Sequence, residues 1–289
     1  MTWRAVLVLA CVLATRAAAP AIADQDRLKH ASDAVPGHPG LTYADLVRQA
    51  VPDLALNASG NRVEGHFRMP PRHLAGEEFR GEPSDPAVLG FIEDKRILVG
   101  GKKRIALLAD LGSKEPRIEG LALLMLFDDE GRAPKLLDAA DVGIDRDTVF
   151  ARQAVLPLGP GDSALVTWSD HNSAGLTMGG YMIVSPVGDR LAMVAELLLT
   201  SEILCSWKAI ETARFATAPD PGGRLHRIEA TVTATISHTG QEGCNDERHP
   251  AAATHVFQGA WRWTPASRRF EPAASTLDGL KALNKQLFE

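Results

Sequence analysis

The amino-acid sequence predicts a mainly β protein: antiparallel hairpins forming a sandwich or a propeller-like sheet array, with short helices near the two ends of the mature chain. Three observations carry that expectation. Residues 228–236 alternate strictly, Ile228, Ala230, Val232, Ala234 and Ile236 against Glu229, Thr231, Thr233 and Thr235, which is the period of a strand with one buried face and one wet face. Apolar runs across the middle of the chain end in polar turns, as where Leu121–Phe127 meets Asp128-Asp-Glu-Gly. Helical spacing is confined to the two ends, and hairpins bounded by helices argue for antiparallel sheets.

The chain opens with the three-part layout of a secretory signal. Arg4 gives a positive start, Ala5–Ala14 an apolar run, and Ala21-Ile-Ala23 a small–x–small cleavage site before Asp24. Residues 1–23 are therefore expected to be removed. Arg16 interrupts the run before the ~20 apolar residues of a membrane span are reached, so no stable membrane insertion is expected. Lipid attachment at Cys11 is disfavoured because only Val6–Ala10 would precede it as apolar stretch, short of the roughly 7–15 residues a signal uses. The alanine-rich composition fits a bacterial chain, which places the protein in the periplasm.

The elements follow in order. Asp24–Gly40, polar and holding Pro36 and Pro39, reads as an extended N-terminal arm, and residues 41–289 as a single domain. Thr42 is an N-cap for a helix whose Leu46, Val47 and Ala50 share a face and which Pro52 stops. Val63–Phe67 is a short strand, and Met69–Pro86 a loop or mobile flap. Strands are expected at Arg104–Leu111, Leu121–Phe127, Lys135–Leu137, Ser163–Trp168 and Tyr181–Val184. Arg190–Leu199 fits either a returning strand or the start of a helix. His255–Trp263 alternates aromatic residues on one face, Ala266-Ser-Arg-Arg turns it back, and Thr276 caps a final helix with Leu277, Leu280, Leu283 and Leu287 in a stripe.

Composition excludes some partners. With 31 Lys and Arg against 36 Asp and Glu, the chain is acidic, and it has no basic stripe for phosphate contacts, so nucleic acid is not an expected partner. After signal removal only Cys205 and Cys244 remain. In an oxidising compartment each has one partner, and a disulfide closing a loop of about 40 residues contributes about 3–4 kcal/mol in the chain-entropy account.

Three groups of residues have the chemistry of a site. Asp138, Asp141, Asp145 and Asp147 form the densest acidic cluster. Asp141, Asp145 and Asp147 stand at positions one, five and seven of a calcium-like loop, although Gly143 occupies position three, Arg146 intrudes and no Glu closes position twelve. Ser169-Asp170-His171-Asn172-Ser173 follows an apolar strand. Ser169, Asp170 and His171 are the catalytic candidates, and His171, Asn172 and Ser173 the ligand-binding ones. Neighbours on a strand point to opposite faces, which weighs against a triad made of adjacent residues. His238, Cys244, His249 and His255 have zinc-type ligands without the spacing of a zinc module. Trp207, Trp261 and Trp263 suit a core better than a sugar platform, Trp207 packing near the disulfide. Asn57-Ala-Ser is a glycosylation acceptor only in a eukaryotic secretory route.

These readings point to an exported protein without an expected cofactor, most simply a non-enzymatic binding or interaction module with a protein or glycan partner in the envelope. The alternative is a secreted hydrolase using His171 and the Asp138–Asp147 acids, for which calcium and zinc are the metals to consider.

Overall fold

The computed structural model describes residues 28–76, 82–83, 85–115, 119–241, 243–246 and 250–288, so the signal segment 1–23 lies outside the described residues. Mainly antiparallel β-sheet, with one short helix near each end, is what the chain forms. Among the described residues no helix is long and apolar enough to cross a membrane.

Residues 28–40 run through turns and pack down: Lys29 bridges to Ile92, Ala34 to Thr42, and Val35 is buried. The first helix, α1, spans Tyr43–Val47. Thr42 caps it as expected, its hydroxyl accepting the Asp45 N–H while the Asp45 side chain accepts from the Thr42 backbone, a reciprocal cap worth about 1 kcal/mol. The helix is shorter than the spacing implied. Ala50 and Val51 still donate to the Val47 carbonyl, so the chain continues as turns up to Pro52. A small sheet follows, with β1 (Ala55–Leu56), β2 (Val63–Gly65) and β4 (Ala87–Leu89) in the order β1-β2-β4; β3 (Glu82–Pro83) joins the next sheet.

That next sheet holds β5 (Ile92–Val99), β6 (Lys102–Glu115), β7 (Gly120–Asp128) and β8 (Lys135–Asp141), with β5 and β3 both paired to β6. The β5–β6 turn is Gly100-Gly101, both at positive φ (58° and 77°), the twist a two-residue hairpin demands. β7 is apolar without alternation because both its faces are covered. Leu121, Leu123, Met125 and Phe127 pack with α1 and the arm, while Ala122, Leu124 and Leu126 pack against the third sheet. Each fully buried Leu here contributes roughly 1.5–3 kcal/mol.

The third sheet is an eight-stranded meander: β9 (Asp147–Gly159), β10 (Asp162–Ser173), β11 (Leu176–Val187), β12 (Arg190–Ile203), β13 (Trp207–Ala218), β14 (Arg227–His238), β15 (Ala253–Thr264) and β16 (Arg269–Ser275). β12 and β13 ladder at only two pairs, Glu202–Ala209 and Ile203–Lys208, next to their turn. Beyond that point a face of β9–β12 and a face of β13–β16 share one apolar cluster, from Leu156, Val166 and Leu197 to Ile228, Val232 and Trp261. The terminal helix α2 (Leu277–Phe288) closes it with Leu280, and covers Trp207 with Leu287.

Two sequence expectations resolve here. The alternation of residues 228–236 matches β14, whose Ile228, Ala230, Val232, Ala234 and Ile236 are all buried. Arg190–Leu199 is strand, not helix. A register shift opposite Ile183/Val184 places a bulge at Val194, so Leu191 faces the second sheet while Ala195, Leu197 and Leu199 face β13–β16.

Candidate functional site

The strand carrying the Ser169–Ser173 segment, β10, sends successive side chains to opposite faces, and its neighbours decide what each can do. On one face the Nδ1 of His171 stands 2.7 Å from both carboxylate oxygens of Asp145, on the loop between β8 and β9. On that same face the Ser169 hydroxyl is buried, 2.7 Å from the Thr148 hydroxyl, and it accepts the Ile144 N–H. Asp170 and Asn172 lie on the other face. The residue that orients His171 is thus Asp145, and Ser169, His171 and Asp170 do not converge as a triad. Asn172 accepts from the Thr177 hydroxyl at 2.5 Å across the β10–β11 hairpin, while Ser173 closes that hairpin opposite Leu176.

Asp170 faces Asp147 directly across β9–β10, and Gly179 across β10–β11. Like charges in opposed positions repel. Burial first, then Asp147 and Asp145, push the Asp170 carboxyl above the usual carboxylate range, with the Trp168 indole N–H partly offsetting. Asp110, on β6, is raised in the same way by burial and by Asp147, against a bond from the Gly112 N–H. The Tyr181 hydroxyl, packed between Trp168 and Phe215, is pushed up by burial and by Asp170. Asp110 and Asp170 thus both sit near Asp147 and both are raised chiefly by burial.

The remaining acids of the expected cluster, Asp138 and Asp141, are engaged elsewhere. Asp138 pairs with Arg72 and accepts the Leu191 N–H at 2.7 Å. Asp141 is buried and accepts the backbone N–H groups of Ala122 and Gly143 at 3.2 and 3.0 Å, with His73 at 4.0 Å. Among the described residues no three His, Cys, Asp or Glu side chains stand so as to hold a metal ion. The zinc-type set is dispersed too: Cys205 and Cys244 form a disulfide, His255 stacks on Phe257, His238 pairs with Trp207 across the ladder, and His249 lies outside the described residues. Trp207 and Trp261 are buried and Trp263 packs edge-on against Phe270, as expected of core aromatics. Asn57 spends its side-chain oxygen on the Asn61 and Arg62 N–H groups of its own turn.

A second candidate site borders the small sheet, with Gly90 in its lining donating its N–H to the Asp110 carbonyl. Residues 29–32, the start of α1 and the small β1-β2-β4 sheet enclose a cleft of about 640 Å³. Its apolar lining includes Ala31, Leu56, Val63 and Leu89, and Leu56 leaves 66% of its surface open to solvent. Lys29, His30, Arg48 and Arg62 line it as well, and among the described residues no Asp or Glu does. Arg48 is fixed, donating to the Leu54 carbonyl at 2.9 Å and to Asp45 at 2.7 Å. Among the described residues Lys29 and Arg62 carry no ion pair. The sequence reading missed this site because its cations come from a polar arm, a helix end and a turn, with no local spacing. Only the pairing of two- and three-residue strands brings them together, and strands so short have no periodicity to read.

Another opening, of about 730 Å³, lies beside β5 between the Pro36–His38 turn and Ser163. There Asp129 already answers His38 at 2.6 Å and Arg96 at 3.3 Å, so its charges are largely matched. Comparison with protein-family models, with curated proteins and with solved structures finds no match for this chain.

Proposed function

We propose that this chain is an exported, non-enzymatic binding module, and that the cleft between the N-terminal turns and the small sheet is where it binds. The observation that carries the reading is the lining of that cleft: an apolar floor with exposed Leu56, rimmed by cations and, among the described residues, free of acids, in the size range of small-molecule sites. Export rests on residues 1–23 and fits the Cys205–Cys244 disulfide, since such bonds persist in oxidising compartments. A reporter fused behind residues 1–23 should leave the cytoplasm; retention would remove the compartment from this reading.

The cleft itself is tested with a neutral apolar dye. Nile red should bind one molecule per chain with a rise in fluorescence, and Leu56→Asp, at an exposed position, should weaken binding at least tenfold without lowering the melting temperature. Equal binding by both proteins would overturn the assignment.

One observation favours the alternative of hydrolysis. The contact of Asp145 with Nδ1 orients His171 as a general base is oriented, leaving Nε2 for a reacting group. Turnover of a small ester panel that His171→Ala abolishes would establish it. We expect none: on that face the Ser169 hydroxyl is buried against Thr148, and exposed Ser173 shows no hydrogen bond to His171 among the described residues.

A further inference from the structure

We propose that the cleft takes a small free amphiphile with an anionic head, the head against Lys29 and Arg62 and the apolar body over Leu56, Val63 and Leu89; this rests on the reading of the cleft as the binding site. Charge is the first ground. The chain carries a formal charge of −5, yet among the described residues every charged side chain lining the cleft is basic. Asp45 answers Arg48, whereas Lys29 and Arg62 have no ion-pair partner among the described residues. Concentrated cations in an acidic protein raise the local concentration of anions and leave a charge for a ligand to complete.

The apolar floor is the second ground. A simple inorganic anion gains nothing from Leu56, Val63 and Leu89, and a neutral oil gains nothing from Lys29 and Arg62. A molecule holding both parts uses the whole lining. Concavity is the third. A bilayer is met by a convex apolar surface, whereas this one is a half-open cleft of about 640 Å³, the scale of one small molecule. The bound head also has a fixed neighbour: the Arg48 guanidinium is held by the Leu54 carbonyl and Asp45, so it needs little ordering when the ligand arrives.

The experiment compares ligands sharing one part at a time, by calorimetry below their micelle concentrations. Decanoate should bind one per chain. Octanoate should bind roughly fifteenfold more weakly, since each of its two missing methylenes is worth about fourfold in affinity. Decyltrimethylammonium, with the same tail and the opposite head, should bind at least tenfold more weakly than decanoate. Arg62→Glu, on an exposed turn, should erase that preference. Equal binding of the two heads, with both weakened by Leu56→Asp, would overturn the anionic ligand and leave the cleft as a binding site. Binding indifferent to both Leu56→Asp and Arg62→Glu would overturn both readings. Capture by phosphatidylglycerol vesicles without binding of free decanoate would overturn the free ligand in favour of a membrane surface.

Discussion

The side-chain amide of Asn284, on α2, donates to Oε2 of Glu211, on β13, at 3.4 Å, and this contact leaves Oε1 of Glu211 and Oδ1 of Asn284 both buried without a hydrogen-bond partner. Oε2 also accepts the Thr200 N–H at 2.7 Å, and the Glu211 N–H donates to the Ser201 hydroxyl, so this one residue bridges the seam where the β12–β13 ladder has ended. Glu211 breaks an inward row of Trp207, Ala209, Ala213 and Phe215. Burial pushes its carboxyl up to about 7, with the bonds from Thr200 and Asn284 opposing.

The pH dependence follows from that shift. Below the unfolded value near 4.5 the group is protonated whether the chain is folded or not, and its contribution is complete. As pH rises toward 7 the unfolded chain loses the proton while the folded one keeps it, so stability falls; above about 7 the loss is complete. Glu211→Gln, whose amide can donate to Asn284 Oδ1 at any pH, should be about 2–3 kcal/mol more stable than the parent at pH 8 and nearly equal to it at pH 4.5. Urea unfolding at the two pH values checks this; an equal difference at both would refute it.

Gly179 makes room for an indole. A Cβ there would stand 2.6 Å from two ring carbons of Trp168, whose ring packs at 4.5 Å on Tyr181. Gly179→Ala should destabilise by about 1–3 kcal/mol through overpacking and should displace Trp168 from Asp170. Altered tryptophan fluorescence together with a lower melting temperature is the expected result, and an unchanged melt would show the ring free to move.

Reducing the disulfide should cost stability without unmaking the fold. Cys205 and Cys244 are 39 residues apart, and opening such a loop is expected to cost about 2–4 kcal/mol. The Cys205→Ser, Cys244→Ser double variant should melt several degrees lower with its β circular dichroism retained. An unchanged melting temperature would show that the unfolded loop is already constrained.

Calcium, zinc and chelator should each leave the melting temperature where it is. Asp138 and Asp141 spend their oxygens on Arg72 and on three backbone N–H groups, and Asp145 on His171. An ion bound at a hundredfold excess over its dissociation constant would add about 2.7 kcal/mol, a shift of several degrees, and would restore the acidic residues as a metal site.

Much of the sheet framework could be read from the chain, and its limits have physical causes. β14 shows through because one of its faces meets apolar neighbours and the other water. β12 was ambiguous because its bulge at Val194 reverses the alternation halfway. Glu211 was legible in principle, as the one acid in the Trp207–Phe215 row, but that row reads as a strand only once its partners are known. The Asp145–His171 contact spans 26 residues and depends on how a loop folds over β10. For the cleft, neither the two-residue β1 nor the turn holding Arg62 has a pattern to follow.

The two-rung junction between β12 and β13 also makes the molecule divisible. Everything through Ile203 is one body and everything from Trp207 onward another, joined by the short Leu204–Ser206 connection. Cys205 sits in that connection and Cys244 in the C-terminal body, so the disulfide fastens the connection to the C-terminal body and does not reach the N-terminal one. Two copies can therefore trade their C-terminal bodies, each closing on the β9–β12 face of the other, with the shared apolar cluster remade in full. Refolding at high concentration is the setting in which such an exchanged dimer would accumulate, and its seam would again be bridged by Glu211, Thr200 and Asn284, now drawn from two chains.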